Sequence, residues 1–335
     1  MRKNVALIFG GEGAESEISV RSAANLYSYI DKGTYRVLPI FITREGEWHL
    51  TDEVSCDCKR YKSVYPVRYK GESGLLCDGE ILSVDAAIPL LHGDFGEDGK
   101  IQGALDAAHI RYVGCGVASG AACADKILTK IIADGLGIPT AEWTWSDDGA
   151  GVARAVAEAR LGYPMFIKPA TLGSSIGAAA VNRPDEFTAA YNTAASYGRV
   201  LIERLMPVEY EVECAVLQYG GKLMINPGGT VETDGALYGF EAKYNGVNSP
   251  KTSHGVEESP IRCKIAEMAR RLAEAIGIRH MARIDFFVTR DGKIYFNEIN
   301  TMPGMTATSL YPALTEGMNL LRGEFINLLL AEITA

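Results

Sequence analysis

A predicted hairpin near the end of the chain gathers the residue types that could do chemistry. Residues 282–306 contain two runs rich in branched and aromatic side chains, separated by Asp291-Gly292, a pair that favours a two-residue turn. Side chains on a strand alternate between faces, so the register of this turn places four charged and polar side chains on one face. They are Arg283, Asp285, Glu298 and Asn300, with Asp285 opposite Glu298 and Arg283 opposite Asn300.

The two facing carboxylates predict a metal site. Carboxylates directly opposite each other destabilise a hairpin, and a divalent cation bound between them would reverse that effect. Oxygen atoms of Asp, Glu and Asn suit Mg²⁺, which usually also binds phosphate oxygens and water. The alternative is a charged hairpin that faces solvent, but the opposite faces of both strands are apolar enough to be covered.

A turn follows the predicted metal ligands at once. Pro303-Gly304 comes directly after Asn300-Thr301-Met302, and a Pro-Gly pair favours a tight turn. A free backbone N–H at Gly304, beside a metal and an arginine, could donate to a developing oxyanion.

Composition favours a small-molecule partner. The chain has 335 residues, a net charge of −9 and a pI of about 5.2. This length allows two or three domains, and a nucleic-acid binder would more often be basic. A phosphate ligand remains open, because local lysines and backbone N–H groups can outweigh the global charge. The first apolar run is too short for a signal peptide, no run reaches the ~18 apolar residues of a membrane span, and seven irregularly spaced cysteines indicate reduced thiols in a cytoplasmic protein.

The N-terminal third has the pattern of a doubly wound α/β domain. A strand at 5–9, a glycine loop that contains Glu15 and a helix at about 17–29 are followed by strands at 36–42 and 84–91. The glycine loop lacks the G-x-G-x-x-G spacing of a dinucleotide site. The third strand leads into a loop with His92, which could either bind a substrate or fix its own loop. Residues 45–80 predict only a variable connection.

The central part of the chain predicts a phosphate site. Lys168 lies in an apolar strand at 164–169, where a lysine needs an anionic partner. The small residues of the loop Gly173-Ser174-Ser175-Ile176-Gly177 suit a cover over phosphates, and a strand at 176–181 makes this loop the tip of a β-hairpin lid. A helix at about 121–136 carries Lys126.

The C-terminal part predicts a second sheet and a long loop. Strands are expected at 199–205, where Glu203 lies, and at 211–217 and 222–226. Residues 228–256 are rich in Gly, Asn and Ser with little periodicity, which is typical of an active-site loop. Helices are expected at 257–276 and 320–332.

Taken together, these motifs resemble one family. The matching blocks run in order through nearly the whole chain: His92-Gly93, Glu97-Asp98-Gly99, Gln102-Gly103, Asp125-Lys126, Lys168-Pro169, Gly173–Gly177, Glu241-Ala242-Lys243-Tyr244, Arg283-Ile284-Asp285 and Asn297-Glu298-Ile299-Asn300-Thr301 with Pro303-Gly304. This set is similar to the D-alanine–D-alanine ligases of the ATP-grasp superfamily.

The resemblance implies an α/β fold with α+β character in its C-terminal part. An N-terminal doubly wound parallel-sheet domain (1–114) would join two ATP-grasp domains (115–202 and 203–335) that sandwich ATP. The family joins two D-alanines for peptidoglycan synthesis. ATP phosphorylates the first D-alanine carboxylate, the amine of the second attacks the acyl phosphate, and the tetrahedral intermediate loses phosphate.

The resemblance also assigns roles. Two Mg²⁺ ions, with Mn²⁺ as a substitute, would be held by Asp285, Glu298 and Asn300. The nucleotide would be bound by Lys126, Lys168, Ser174, Ser175, Glu203 (adenine), Glu211 (ribose), Lys243 and Asn297. The first substrate's ammonium would bind Glu15 near His92, Arg283 and Gly304 would form the oxyanion hole, and Ser309 beside Leu310 would hold the second substrate. Ser174, Tyr244 and Glu15 would close the site through hydrogen bonds.

Relatives that use D-serine or D-lactate remain the nearest alternative. Serine-using relatives often carry an arginine at the position of Leu310, and lactate-using relatives usually differ around Tyr244, so D-alanine is favoured. Two departures from the family pattern, Thr308 and the residues 245–248, affect expectations about loop closure. A dehydrogenase and a non-enzymatic regulator are disfavoured by the missing dinucleotide motif and by the complete set of polar site residues. We expect a cytoplasmic homodimer that binds neither nucleic acid nor membranes.

Overall fold

The fold is built on three β-sheets joined and covered by helices. The computed structural model describes residues 2–55, 60–232, 252–254 and 259–335. The strands of these residues follow in chain order: β1 Lys3–Gly10, β2 Tyr35–Ile42, β3 Trp48–Thr51, β4 Arg60–Tyr69, β5 Glu72–Cys77, β6 Glu80–Ser83, β7 Ala86–Pro89, β8 Trp143–Ser146, β9 Met165–Pro169, β10 Ala179–Val181, β11 Val200–Arg204, β12 Val208–Tyr219, β13 Lys222–Glu232, β14 Thr252–His254, β15 Met281–Thr289 and β16 Ile294–Asn300.

The described helices cover and connect these sheets. They are α1 Ser16–Tyr29, α2 Lys100–Ala107, α3 Val117–Ala124, α4 Lys126–Gly135, α5 Ala150–Arg160, α6 Pro184–Ala195, α7 Pro260–Ile276, α8 Leu310–Glu316 and α9 Glu324–Thr334. Among the residues described, no helix is both long and apolar enough to cross a membrane.

The N-terminal sheet is mixed rather than fully parallel. Its strand order is β6-β5-β4-β3-β2-β1-β7, and only β2, β1 and β7 pair in parallel. The residues expected to form a variable connection instead supply antiparallel strands β3 to β6. Their mixed polarity gave no strand signal, because strand formation depends on packing and on pairing with neighbouring strands, which the local pattern does not show.

Both faces of the parallel part are covered, as a doubly wound fold requires. The odd residues of β1, such as Leu7 and Phe9, pack in a core with α1 and α9. The even residues Ala6 and Ile8 pack in a second core with Ile101 of α2. Strand β1 is therefore buried on both sides and reads as a continuous apolar run.

The central sheet has the order β10-β9-β11-β8. Strand β10 returns antiparallel to β9, which confirms the predicted hairpin around the loop Gly173–Gly177. One face of the sheet packs on α5 and on α6, a helix that the sequence did not predict. The other face carries Leu201, which packs against Ile127 of α4.

The single helix expected at 121–136 is two helices. Asp125 has an extended backbone and caps α4, because its carboxylate accepts hydrogen bonds from the N–H groups of Ile127 and Leu128. The break between α3 and α4 brings the first residue of α4, Lys126, to the central sheet, where its backbone N–H donates to Ala170 O.

The C-terminal sheet, β14-β13-β12-β15-β16, contains the predicted metal-site hairpin. The expected pairs Asp285–Glu298 and Arg283–Asn300 are confirmed. The expected two-residue turn is wrong: Thr289 N donates to Lys293 O across a three-residue loop, and Gly292 adopts φ 76°. A bulge at Asn297 inserts one extra residue and restores the predicted register near the site.

Helices complete the C-terminal part. Helix α7 begins at the cap Ser259, ends at Gly277 in the left-handed region, and covers one face of the sheet. The short helix α8, which the sequence did not predict, packs against the other face. The cysteines that the structure describes are all free thiols, as expected.

Candidate active site

Two adjoining cavities lie where the sheets meet. The larger, of about 480 Å³, opens between the central and C-terminal sheets, within the size range of ligand pockets. The smaller, of about 80 Å³, lies against the N-terminal loops. Four residues line both: Lys126, Gly173, Ser174 and Glu298. A ligand in the larger cavity could therefore react with one in the smaller.

The wall of the larger cavity contains both apolar and charged residues. Phe166, Leu205 and Met206 suit a planar base, whereas the lysines and the loop Gly173–Gly177 suit phosphates. The predicted nucleotide-binding residues among the described ones all line this cavity: Lys126, Lys168, Ser174, Ser175, Glu203, Glu211 and Asn297.

The anionic partner that Lys168 requires is Glu203. These residues lie on the same face of neighbouring strands β9 and β11, and Lys168 Nζ is 2.7 Å from Glu203 Oε2. A second lysine, Lys130 of α4, places its Nζ 2.5 Å from Glu203 Oε1. Burial alone would raise the pKa of Glu203, but the two lysines outweigh it and lower the pKa to about 2. The carboxylate is therefore ionised at every physiological pH.

The sequence did not single out Lys130. The signal was present, because Lys130 lies four residues after Lys126 on α4 and shares its face. A lysine with 1% exposure is rare unless it is paired, yet nothing in the periodicity of α4 distinguishes this position from a solvent-facing one.

Lys126 bridges the two cavities. Its ammonium donates to Leu172 O at 2.7 Å and lies 3.6 Å from Glu298 Oε2. Burial lowers the pKa of Lys126, and the charge of Glu298 partly opposes that shift. The lysine is thus held beside the glycine loop, where its charge can be offered to a phosphate.

The loop Gly173–Gly177 is fixed to the N-terminal part of the chain. Ser174 and Ser175 both adopt left-handed backbone conformations, with φ 51° and 60°, which are uncommon for residues other than glycine. The Ser174 hydroxyl donates to Glu15 Oε1 at 2.5 Å. This hydrogen bond joins residues 159 positions apart, and both residues line the smaller cavity.

His92 uses both ring nitrogens within the protein. Nδ1 donates to Met302 O at 3.0 Å, and Nε2 accepts from the Ser22 hydroxyl at 3.0 Å. Burial lowers the pKa of His92, although the charge of Glu15 opposes the shift, so the ring stays neutral. His92 lines the smaller cavity, but its hydrogen bonds fix its loop to the turn at Met302.

Glu97 reinforces the same connection and was not assigned a role from the sequence. Its carboxylate accepts hydrogen bonds from Gly93 N at 3.0 Å and Met302 N at 2.9 Å. Burial raises its pKa to about 7, although both hydrogen bonds lower it. Glu97 thereby couples the His92 loop to the segment that carries Gly304.

Arg283 lies in a ring of carboxylates. Nε and Nη2 donate to the two oxygens of Asp285 at 2.8 and 2.6 Å, and Nε lies 3.6 Å from Glu213 Oε2 on β12. Burial alone would lower the pKa of Arg283, but Asp285 and Glu213 hold it well above its ordinary value. The guanidinium is a fixed positive charge in the wall of the smaller cavity.

The donor chemistry at the hairpin fits a divalent cation. Asp285 faces Glu298 across the strands, and Asn300 Nδ2 lies 3.3 Å from Asp285 Oδ2. These hard oxygen donors suit Mg²⁺. In the described structure, Arg283 balances the negative charge of Asp285 that a bound cation would otherwise balance. Within the described part of the chain, no three His, Cys, Asp or Glu side chains converge as a ready-made metal cluster, so phosphate oxygens and water would complete the coordination.

The Pro-Gly turn presents Gly304 to the smaller cavity, but Ser309 and Leu310 line neither cavity. Ser309 Oγ accepts from Thr306 N at 3.0 Å and lies 2.8 Å from the Thr306 hydroxyl. A Cβ at position 304 would lie 2.9 Å from Ser309 Oγ, so a larger residue there would require the Ser309 hydroxyl to move. Leu310 packs against the apolar core below. Lys243 and Tyr244 lie outside the described residues.

The comparisons with known proteins agree on one family. Models described as D-ala D-ala ligase N-terminus and D-ala D-ala ligase C-terminus match residues 4–115 and 132–330. A D-alanine–D-alanine ligase from Chlorobium limicola is 36% identical over 94% of this chain and 92% of that protein. Another from Deinococcus radiodurans is 34% identical over 97% of each.

Solved structures have the same architecture. The VanG D-Ala:D-Ser ligase from Enterococcus faecalis superposes with a TM-score of 0.89 at 31% identity, covering 99% of this chain and 100% of that one. D-alanyl-alanine synthetase A from Vibrio cholerae gives 0.87 at 29% identity, covering 99% and 98%. Domain models over most of the sequence and full-length relatives establish that this chain belongs to the D-alanine–D-alanine ligase family, ATP-dependent ligases of the ATP-grasp fold.

Proposed function

We propose that the chain joins two D-alanines into D-alanyl-D-alanine at the expense of ATP, for peptidoglycan synthesis. The observation that carries this proposal is the pair of adjoining cavities that share Lys126, Ser174 and Glu298. One cavity has the apolar wall and lysines that a nucleotide needs, and the other has the carboxylate of Glu15 and the guanidinium of Arg283 that an amino acid needs.

The first step transfers the γ-phosphoryl group of ATP to the carboxylate of the first D-alanine. A carboxylate oxygen forms the new P–O bond, the bond to the β-phosphate oxygen breaks, and ADP leaves. Lys126 and Lys168 would neutralise charge on the phosphates, and the loop containing Ser174 and Ser175 would exclude water from them. Positioning and charge stabilisation supply most of the catalysis in such transfers.

In the second step the amine of the second D-alanine attacks the carbonyl carbon of the acyl phosphate. The tetrahedral intermediate then expels phosphate and the nitrogen loses a proton. Arg283 and the N–H of Gly304 would stabilise the oxyanion, while Glu15 holds the ammonium of the first substrate. We propose that Ser309 binds the carboxylate of the second D-alanine and that Lys243 binds the γ-phosphate. Tyr244 would belong to the hydrogen-bond network that closes the site.

We propose two Mg²⁺ ions, held by Asp285, Glu298 and Asn300, with Mn²⁺ as a substitute. Bound there, the ions would neutralise the β- and γ-phosphates. Asp285 pairs with Arg283 in the present arrangement. If a metal ion bound there, the Asp285 carboxylate would interact with both the ion and the guanidinium. Glu213 supports this arrangement, because it gives Arg283 a second anionic neighbour when Asp285 also binds the metal ion.

We also propose a cytoplasmic homodimer of three-domain subunits, 1–114, 115–202 and 203–335. The three sheets support this division. Strand β11 of the central sheet ends at Arg204, beyond the expected boundary at 202, so we move that boundary to just after Arg204. Light scattering of the purified protein tests the dimer.

The test of the activity is phosphate release from ATP with Mg²⁺, with and without D-alanine, and identification of the product by mass. D-alanine-dependent release and a D-alanyl-D-alanine mass are expected. D-serine and D-lactate are assayed alongside as second substrates, since VanG is named a D-Ala:D-Ser ligase. A higher kcat/KM with D-serine would overturn the substrate assignment.

A further inference from the structure

Lys130 stands behind the nucleotide cavity rather than in its wall. Its side chain has 1% exposure, and it is absent from the lining of the larger cavity, which both Glu203 and Lys168 reach. The two oxygens of Glu203 are divided between two lysines: Oε1 is 2.5 Å from Lys130 and Oε2 is 2.7 Å from Lys168.

The two lysines differ in what they can reach. Lys130 is on α4 behind Glu203, and burial lowers the pKa of its ammonium while the charge of Glu203 opposes that shift. Lys168 lines the larger cavity and its side chain is 11% exposed, so its ammonium can turn toward a phosphate. If Glu203 had Lys168 as its only cation, that turn would leave a buried carboxylate without a partner, which is strongly unfavourable.

We propose that Lys130 is the permanent counter-ion of Glu203 and that Lys168 is an exchangeable one. When a nucleotide binds, Lys168 moves from Glu203 to the phosphate oxygens, and Lys130 keeps the carboxylate paired and in place. Lys130 is thus a positioning residue that does not touch the ligand. It allows Lys168 to contact phosphate without leaving the buried Glu203 carboxylate unpaired. The inference rests on the proposed function for the identity of the ligand, ADP or ATP.

The test is a double-mutant cycle read by calorimetric titration with ADP and Mg²⁺, and with adenosine as a ligand that lacks phosphates. Lys130→Met should weaken ADP binding at least tenfold and change adenosine binding less than threefold. In a Glu203→Gln background no anion is left to strand, so the same substitution should change ADP binding less than twofold. Lys130→Arg should restore most of the affinity, and Lys264→Met, which removes an exposed lysine on α7 away from both cavities, should have no effect.

Equal losses from Lys130→Met in both backgrounds would overturn the proposal, since they would mean that Lys130 acts on phosphate directly or only through packing. Loss of adenosine binding to the same extent as ADP binding would do so as well. If Lys130→Met does not fold, Lys130→Gln takes its place in the cycle. In steady state the KM for ATP should rise while the KM for D-alanine is unchanged.

Binding and turnover separate the two hypotheses. A wild-type protein that binds ADP and shows the cycle but makes no D-alanyl-D-alanine would refute the proposed substrate and leave the role of Lys130 standing. A wild-type protein that makes the dipeptide but shows equal losses in both backgrounds would refute only the role of Lys130. Failure of the wild type to bind ADP would contradict both.

Discussion

Removing the hydroxyl of Ser174 should break the hydrogen bond that connects the loop Gly173–Gly177 to the N-terminal part of the chain. The hydroxyl donates to Glu15 Oε1 at 2.5 Å, and both side chains are partly buried. Alanine at position 174 keeps the Cβ and hence the constraint at φ 51°. Ser174→Ala therefore isolates the hydrogen bond, and the backbone N–H groups of the loop stay available to phosphates.

The size of the effect follows from the charge on the acceptor. A hydrogen bond to a charged group contributes about 1.5–3 kcal/mol, and about 1.4 kcal/mol corresponds to a tenfold change in rate. If the bond forms fully in the closed transition state, kcat/KM for D-alanine should fall about 10- to 100-fold.

The assay is steady-state phosphate release for the wild type, Ser174→Ala, Glu15→Gln and the double variant. We expect a coupling free energy above about 1 kcal/mol between the two positions. Ser28→Ala serves as control, because it removes an exposed serine hydroxyl that donates to Asn25 O within α1. A coupling below about 0.5 kcal/mol would mean that the contact does not hold the closed site, and the closing network would need another basis.

Three further predictions concern the metal, the core and pH. Glu298→Gln should abolish Mg²⁺-dependent phosphate release and leave the circular dichroism spectrum unchanged; turnover near the wild-type rate at saturating Mg²⁺ would refute the metal assignment. Gly10→Ala should lower Tm well beyond Gly79→Ala, since both glycines have positive φ (95° and 85°) but only at Gly10 would a Cβ meet a backbone oxygen, Ile42 O at 2.3 Å; equal shifts in a melting experiment would contradict this. Burial raises the pKa of Glu97 from 4.5 to about 7, so the wild type should lose up to about 3 kcal/mol of stability relative to Glu97→Gln as pH rises from 4.5 to 7. The sign follows because the folded state binds the proton more tightly than the unfolded one, and a pH-independent difference in urea denaturation would contradict the raised pKa.

Local patterns in the sequence were sufficient for much of the fold. Apolar runs, glycine loops and turn pairs predicted the opening strand and helix, the lid hairpin and the C-terminal helix α7, because each depends on neighbours a few residues apart. Strands β3 to β6 and the short helix α8 were not predicted. Their residues are stabilised by pairing or packing with distant segments, so the local pattern of polarity carries little of the information.

The metal-site hairpin shows where local reasoning stops. The facing of Asp285 and Glu298 was predicted from a two-residue turn that does not exist, and it holds because the longer loop is offset by the bulge at Asn297. The bulge also lets Phe296 pack against Phe286 in the core while Glu298 faces the cavities. Packing of the sheet against α7 decides this arrangement, and no short-range signal announces it.

The sequence by itself determined which side chains are available and which family the chain resembles: the acidic hairpin, the lysine in an apolar strand, the serine-rich loop and the Pro-Gly turn. Only the tertiary structure decided how they are paired. Lys130 and Lys168 meet at Glu203, and Ser174 meets Glu15, across separations of 73, 35 and 159 positions in the chain. The reason is physical, because a buried charge or hydroxyl is stabilised by whichever partner the packed sheets bring within about 3 Å, and that partner is set by the fold rather than by neighbours in sequence.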